Sequence, residues 1–452
     1  MNIMGIDIGT TSISMTLMDE ETGDLTARKT IDHRSFLPGE APDEKIQDPQ
    51  RIWRFVKEGL DGSVETYGKP SGIGLTGQMH GMLYVDGGGN AVSPLYTWQD
   101  GRGGRSVEGD LSCEDILNEK AGGAAAGYGL GTHFYLQKTG QIPASAKKMV
   151  TISDYIAMRL SGNREPVMGA DMAASWGCFD LEKREFFYEA LEKAGVDLSY
   201  LPEIRKEHFI VGETEDGIPV TASLGDNQAS VFGSVASLSD TVLINVGTGS
   251  QVSVVTKRYV PCQGSIELRP CTEDSYLLAG SSLCGGRAYA MLEQFYREVA
   301  GEQEGSFYQK MCDQAQRFVD GYGVDAAWKV ETTFSGTRSD PAKRGSITGI
   351  GVDNFHPGAM TVGVLTGIIR ELYEQYEQMC RLTGKRAARL VGSGNGIRQN
   401  PLMQRLAEEM FGMEMKIPAY KEEAACGAAL CALALLHPEE GPGQVQGRIR
   451  YL

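Results

Sequence analysis

No C-x-x-C pair occurs among the nine cysteines, which lie scattered between Cys113 and Cys431. That spacing argues against a zinc knuckle, a redox dithiol and a secreted disulfide framework, and the cysteines read as reduced, cytosolic thiols. Basic residues are in the minority. With 43 Lys and Arg against 59 Asp and Glu the formal charge is -16, which repels nucleic acid and anionic membrane surfaces. Long apolar runs are also missing, since the longest, AACGAALCALALL at 424–436, falls short of the roughly 20 residues a membrane span needs. At the N-terminus a strand pattern begins at Ile3 without a basic and apolar leader, so no secretory signal is expected. What remains is a cytoplasmic globular protein expected to bind neither nucleic acid nor membrane, with a second copy of itself as a candidate partner.

A chain of 452 residues, 41% of them hydrophobic, is too long for one ordinary core and has apolar surface enough for two. The opening stretch MGIDIGTTSIS, residues 4–14, is an apolar strand carrying one carboxylate, Asp7, that runs into Gly9, Thr10, Thr11 and Ser12. A Gly-Thr-Thr turn with free N–H groups and hydroxyls suits phosphate, yet no P-loop lysine and no helix follow it. The same pattern returns in TVLINVGTGSQVSVV, residues 241–255. There Gly247-Thr248 falls on Gly9-Thr10, and Asn245 on Asp7. One such turn is common, but a copy opening each half of the chain points to a duplicated domain with phosphate held between the copies. The boundary falls at SLSD, 237–240, giving domains 1–238 and 239–452.

Coarse elements follow from caps and periodicity. Asp48-Pro49 opens a helix with Ile52, Phe55, Val56 and Leu60 on one face, and Asn400-Pro401 opens another that ends near Gly412. GIGLTG, 72–77, is a short strand, MLYVD and AVSPLYTW around the turn GGGN read as a hairpin, and helices are expected near 151–161 and 186–195. The final helix repeats Ala424, Gly427, Ala428 and Cys431 on one face, a flat surface for close backbone packing.

Four stretches carry chemistry. In LGDNQASVFG, 224–233, Asp226 stands between a strand and a helix. It is either an N-cap or a base that the helix dipole keeps ionised, and the two roles are compatible. GLTGQMHG, 74–81, brings His80 and Gln78 into a glycine-bounded loop suited to hydroxyl recognition. YTWQDGRG, 96–103, offers Trp98 as an aromatic platform flanked by Gln99, Asp100 and Arg102, groups that suit a sugar. LVGSGNGIRQNPLMQ, 390–404, reads as strand, glycine-rich loop and capped helix. It fails the dinucleotide fingerprint at Ile397 and suits packing against a purine.

Taken together, GIDIGTTS, GQMHG, TWQDGR, GDNQAS, NVGTGSQ, the 392–400 loop and EEAACGAAL resemble, in order and spacing, the FGGY carbohydrate kinases over nearly the whole chain. The resemblance implies an α/β fold of two ribonuclease-H-like domains, as in actin and hexokinase, with a nucleotide and sugar cleft between them. It also implies an ATP-dependent kinase with magnesium. Asp226 would be the general base. Met79, His80 and Asn227 would line the sugar site, joined by Trp98, Asp100, Arg102 and Tyr128. Thr10, Thr11 and Ser12 would meet the phosphates from one side, and Gly247, Thr248 and Gly249 from the other. Asp7 would hold the magnesium ion through water, and Gly394, Asn395 and Asn400 would flank the adenosine. TWQDGR, DMAASWG (171–177) and GDNQAS look most like the sedoheptulokinase branch, which makes sedoheptulose to sedoheptulose 7-phosphate the expected reaction. GQMHG and GDN are shared with xylulokinases, so D-xylulose is the alternative. An actin- or chaperone-like nucleotide switch is the remote one. Relatives usually carry Lys or Arg at the position of Ser14.

Overall fold

The computed structural model describes residues 1–262, 264–271, 275–302, 304–337, 340 and 342–452. Two compact units emerge. The first comprises Met1–Ala236, Arg269–Ser275 and Glu422–Arg450, and the second Ser237–Leu268, Tyr276–Lys421 and Tyr451–Leu452.

Unit 1 is built on β1 (Asn2–Ile8), β2 (Ser12–Asp19), β3 (Leu25–Asp32), β4 (Ile73–Gly77), β5 (Ile210–Glu213) and β6 (Pro219–Gly225). These form one six-stranded mixed sheet in the order β5-β6-β4-β1-β2-β3. β2 lies antiparallel between β1 and β3, whereas β1, β4 and β6 run parallel. The strands bury Ile6, Ile8, Ile13, Leu75 and Val220 against Ile52, Val56 and Ile156. Those last residues come from α1 (Pro49–Tyr67) and from a later helix, Ile152–Leu160. Asp48 starts α1 as the sequence predicts, its carboxylate accepting the N–H groups of Gln50 and Arg51. Further helices are α2 (Gly129–Lys138), α3 (the Ile152–Leu160 helix), α4 (Ala170–Ala174) and α5 (Asp226–Phe232). The expected hairpin after QMHG is only partly regular. Val85 bridges Ala91 and Met82 bridges Tyr96, while Leu83–Val85 pairs along its length with Lys148–Val150.

Unit 2 repeats the plan with β7 (Thr241–Val246), β8 (Ser250–Thr256), β9 (Ile266–Pro270), β10 (Tyr276–Ser282), β11 (Arg389–Ser393) and β12 (Met415–Lys416), ordered β9-β10-β8-β7-β11-β12. The antiparallel run β10-β8-β7 and the parallel run β7-β11-β12 reproduce β3-β2-β1 and β1-β4-β6. The duplicated hairpins thus belong to duplicated sheets, and both units are α/β domains of the ribonuclease-H-like, actin-fold type. Helices α6 (Gly286–Ala300), α7 (Pro357–Thr383), α8 (Gly394–Arg398) and α9 (Pro401–Phe411) complete the unit.

Two stretches beyond 238, Arg269–Ser275 and Glu422–Arg450, pack in unit 1. The second contains α10 (Glu423–Leu436). Its small face explains why. A Cβ built at Gly5 or Gly74 would lie 1.8 or 1.9 Å from the carbonyl oxygens of Ala425 and Ala428, and one at Gly427 would lie 1.8 Å from that of Ala229. Side chains at those places would push the helix off β1, β4 and α5. Among the described residues no helix is long and apolar enough to cross a membrane.

Candidate active site

Strand β1 delivers Asp7 near the first turn, and β6 delivers Asp226 as the opening residue of α5. The two carboxylates feel each other. Burial, with the Asp226 charge added, pushes the Asp7 carboxyl up to about 7. Burial raises Asp226 too, opposed by the charge of Arg269 and a hydrogen bond from the Asn227 backbone. The Asn227 amide also donates to Asp226 Oδ1 at 3.0 Å and approaches Met79 Sδ at 3.9 Å. On the same sulfur, Arg269 Nη1 lies at 3.8 Å. Asp226, Asn227, Met79 and Arg269 therefore form one cluster. Arg269 escaped sequence reasoning because a single arginine in a strand of the chain's middle carries no signal of where its strand will return.

His80 sits at φ 73°, a left-handed conformation uncommon outside glycine. The DMAASWG segment holds it there. His80 N–H donates to Ser175 Oγ at 3.0 Å, its Nδ1 lies 2.7 Å from the Ser175 carbonyl, and Trp176 Nε1 donates to the Gly81 carbonyl at 3.1 Å. Tyr128, immediately before α2, stacks flat on the His80 ring at 4.3 Å. Ser175 and Trp176 are thus supports of the sugar-site candidates, although the sequence singles them out only as part of a family motif.

The turn between β1 and β2 is buttressed from beneath. Gly9 N–H donates to the Ser12 carbonyl at 2.9 Å, and the Gly9 carbonyl lies 3.1 Å from His33 Nε2. Gln47 Nε2 donates to the Thr10 carbonyl at 2.6 Å, and Gln47 Oε1 accepts from Gln78 Nε2 at 3.0 Å. His33, Gln47 and Gln78 are all buried. Thr11 is exposed, with Thr10 and Ser12 half-buried. Trp98, 47% exposed, donates its indole N–H to Thr10 Oγ1 at 3.0 Å. Its neighbours differ. Asp100 and Arg102 are buried and bonded to each other at 2.6 and 3.0 Å, with Asp100 Oδ2 also accepting Lys45 N–H and Arg102 lying over the Tyr96 ring. That pair braces the loop that carries Trp98.

In unit 2 the equivalent turn has Gly247 N–H donating to the Gly249 carbonyl at 2.9 Å, with Thr248 exposed. The start of α6 rests on it, Gly286 and Arg287 donating to the carbonyls of Gly247 and Thr248 at 2.9 Å each. A Cβ at Gly286 would come within 2.3 Å of the Gly247 oxygen. The 392–400 segment is a short helix, α8, where the sequence reads as a loop. Gly394 turns at φ 80° against Val246, and Gly396 lacks the Cβ that would strike the same residue. Asn395 is exposed, whereas Asn400 is buried and caps α9 through Met403 N–H at 3.1 Å. A separate cavity of about 550 Å³ in unit 2, lined by Lys329, Glu371 and Gln375 among others, contains none of the expected site residues. Among the described residues no group of three or more His, Cys, Asp or Glu could hold a metal by itself.

A carboxylate at a helix start and a Gly-Thr turn in each of two duplicated actin-fold domains suit a phosphotransferase acting on an alcohol. Comparison with known proteins makes the class definite. The N-terminal domain of the FGGY family of carbohydrate kinases matches residues 2–233, and its C-terminal domain matches residues 242–436. The chain belongs to the FGGY family of carbohydrate kinases and is an ATP-dependent carbohydrate kinase. It is 29% identical to the sedoheptulokinase of Mus musculus over 95% of this chain and 97% of that one. With the xylulose kinase of Lactococcus lactis subsp. lactis it shares 24% identity over 95% and 87%. The solved structure of xylulose kinase from Lactobacillus acidophilus aligns with a TM-score of 0.83 at 20% identity, covering 100% of this chain and 92% of the other.

Proposed function

We propose that the enzyme transfers the γ-phosphoryl group of ATP to a hydroxyl of a ketose, with Asp226 as general base and D-xylulose as the sugar to test first. The observation that carries the reading is the pair Asp7 and Asp226, half-buried carboxylates at the ends of the two parallel strands that flank β4; burial raises the cost of ionising both, and the Asp226 charge adds to it at Asp7. Arg269 offsets that cost for Asp226, which favours a carboxylate able to accept a hydroxyl proton. Such a base contributes about 100- to 10,000-fold in rate, the remainder coming from positioning and charge neutralisation.

The residues present fit a magnesium ion. Asp7 Oδ1 is buried without a hydrogen-bond partner, and a cation beside it would relieve both burial and the Asp226 charge. Asp7 would hold the ion through water, since magnesium takes few protein carboxylates. When bound, the ion neutralises charge on the transferring phosphates. Thr10, Thr11 and Ser12 in one unit, and Gly247, Thr248 and Gly249 in the other, are proposed to bind phosphate through N–H groups and hydroxyls. Gly394, Asn395 and Asn400 are proposed beside adenosine.

Two observations bear on the sugar. Asp100 and Arg102, offered by the sequence for the far end of a longer ketose, are buried and bonded to each other. This favours the five-carbon D-xylulose. Sedoheptulose is the second reading, favoured by the 29% identity with a sedoheptulokinase along nearly the full length of both chains. A coupled ADP-release assay with MgATP against D-xylulose, sedoheptulose, D-ribulose, L-ribulose and glycerol decides between them. D-xylulose is expected to give the highest kcat/KM. A clear preference for sedoheptulose would transfer the assignment to the longer sugar, and an absence of sugar-stimulated turnover across the panel would overturn the ketose reading.

A further inference from the structure

The strand that ends in Asp226 is held in an unusual way. The pairing of β6 with β4 shifts register between Val220 and Ser223. Just past the shift, two backbone N–H groups donate to buried side-chain carboxylates from other parts of the chain. Ser223 N–H reaches Asp154 Oδ1 at 3.3 Å, and Gly225 N–H reaches Asp171 Oδ2 at 2.9 Å. Asp154 is anchored in the first turn of α3, where its other oxygen accepts the Thr151 hydroxyl at 2.6 Å. Asp171 lies in the first turn of α4. Both carboxylates are nearly inaccessible, at 2% and 5% exposure. Gly225 is boxed on its other side too, because a Cβ there would meet Gln228 Oε1 at 2.4 Å and Met79 Sδ at 2.7 Å.

Burying two carboxylates to hold a strand end is expensive, and apolar packing alone would serve stability better. The arrangement makes sense if what must be fixed is direction, because Gly225 is the residue immediately before Asp226. We infer that Asp171, with Asp154 behind it, is a positioning residue that fixes the aim of the Asp226 carboxylate by clamping the backbone of Gly225 and Ser223. The inference rests on the reading of Asp226 as the base. A shift of about 1 Å in a reacting group can cost on the order of 100-fold in rate, so the clamp acts on kcat and leaves sugar binding largely alone.

The test compares Asp171→Ala, which removes the acceptor, with Asp171→Asn, which retains an oxygen at the same place, and measures Asp226→Asn beside them. Asp171→Ala is expected to lower kcat by about 100-fold with the sugar KM changed less than about threefold, and Asp171→Asn to recover at least about tenfold of the loss. A folded Asp171→Ala enzyme with kcat within about threefold of wild type, alongside an inactive Asp226→Asn, would overturn the positioning role while leaving the base in place. So would an Asn variant no better than Ala. Near-normal kcat in Asp226→Asn removes the base reading and this inference with it. Should Asp171→Ala not fold, Asp154→Asn decides by the same split: lower kcat at unchanged KM supports the clamp, and unchanged kcat overturns it.

Discussion

The indole N–H of Trp98 donates to the hydroxyl of Thr10 at 3.0 Å, so a residue expected at the sugar touches a residue expected at the phosphates. Half of the Trp98 side chain is open to solvent, yet its polar end is fixed. Replacing Trp98 with Phe keeps the platform and deletes this bond. A net hydrogen bond is worth about 1 kcal/mol, so kcat/KM for ATP in Trp98→Phe should fall about threefold to tenfold. Steady-state kinetics with ATP varied at saturating sugar checks this. An unchanged kcat/KM for ATP would mean that Trp98 leaves Thr10 when nucleotide binds.

Asp226→Asn should keep sugar binding largely intact while kcat falls by about two to four powers of ten. Isothermal titration with the preferred ketose, beside turnover assays, separates the two effects. Asn can still accept N–H groups at a helix start. Near-normal turnover in this variant would refute the base assignment, and it would not restore the N-cap alternative either, because Gly225 holds the cap position and Asp226 is the first helical residue.

Residues tied to local rules were legible in the sequence, and residues tied to distant partners were not. Asp48 and Asn400 announce their helices because capping needs only a short side chain and the next few N–H groups. The repeated Gly-Thr turns announce the duplicated sheets. The small face of α10 gives close packing, but nothing in Gly427 or Ala428 says which sheet it will meet, and α10 belongs to unit 1. Asp100 and Arg102 show that spacing alone does not reveal pairing. Two charges two residues apart look like recognition groups until burial and their 2.6 Å contact pair them with each other. His33, Gln47 and Gln78 come together from three separate segments to hold one turn, and although Gln78 stands in the GQMHG motif, nothing in the three segments announces the turn as their common partner.

Close packing of α10 gives a stability prediction. A methyl group at Gly74 would need to occupy space 1.9 Å from the Ala428 carbonyl oxygen, and backbone cannot yield as a flexible side chain can. Gly74→Ala should destabilise unit 1 by about 3 kcal/mol or more, at the upper end of overpacking costs. In thermal unfolding this appears as a fall in Tm of several degrees or as insoluble protein. A Tm within one or two degrees of wild type would mean that α10 can lift from the sheet at little cost.

Buried His133 sets a dependence on pH. Burial pushes its imidazole down to about 4, and its Nδ1 lies 2.7 Å from the Tyr84 hydroxyl. An unfolded histidine titrates near 6.5, so between about 6.5 and 4 the unfolded chain binds the extra proton and the folded protein does not. Stability from this group is full above that window and is lost as pH falls through it. His133→Gln cannot titrate and keeps a polar partner for Tyr84. Its Tm should therefore drop less between pH 7 and pH 5 than that of wild type. Equal drops would show that His133 takes up its proton without unfolding.

Ser14 stands directly across from Asp7 in the β1–β2 ladder, with its hydroxyl 3.4 Å from that of Thr30. Where the family resemblance implies Lys or Arg, this chain has a hydroxyl, so the Asp7 charge is handled by other means. A lysine at position 14 would supply an ammonium group to the carboxylate that burial now pushes up to about 7, and would lower it again. That ammonium would also oppose magnesium at the same place. Ser14→Lys should raise the magnesium concentration needed for half-maximal rate, while kcat/KM for ATP at saturating magnesium changes less than about threefold. A large gain in kcat/KM for ATP would show instead that the N–H groups and hydroxyls of the two turns, even with magnesium, leave phosphate charge uncompensated in the native enzyme.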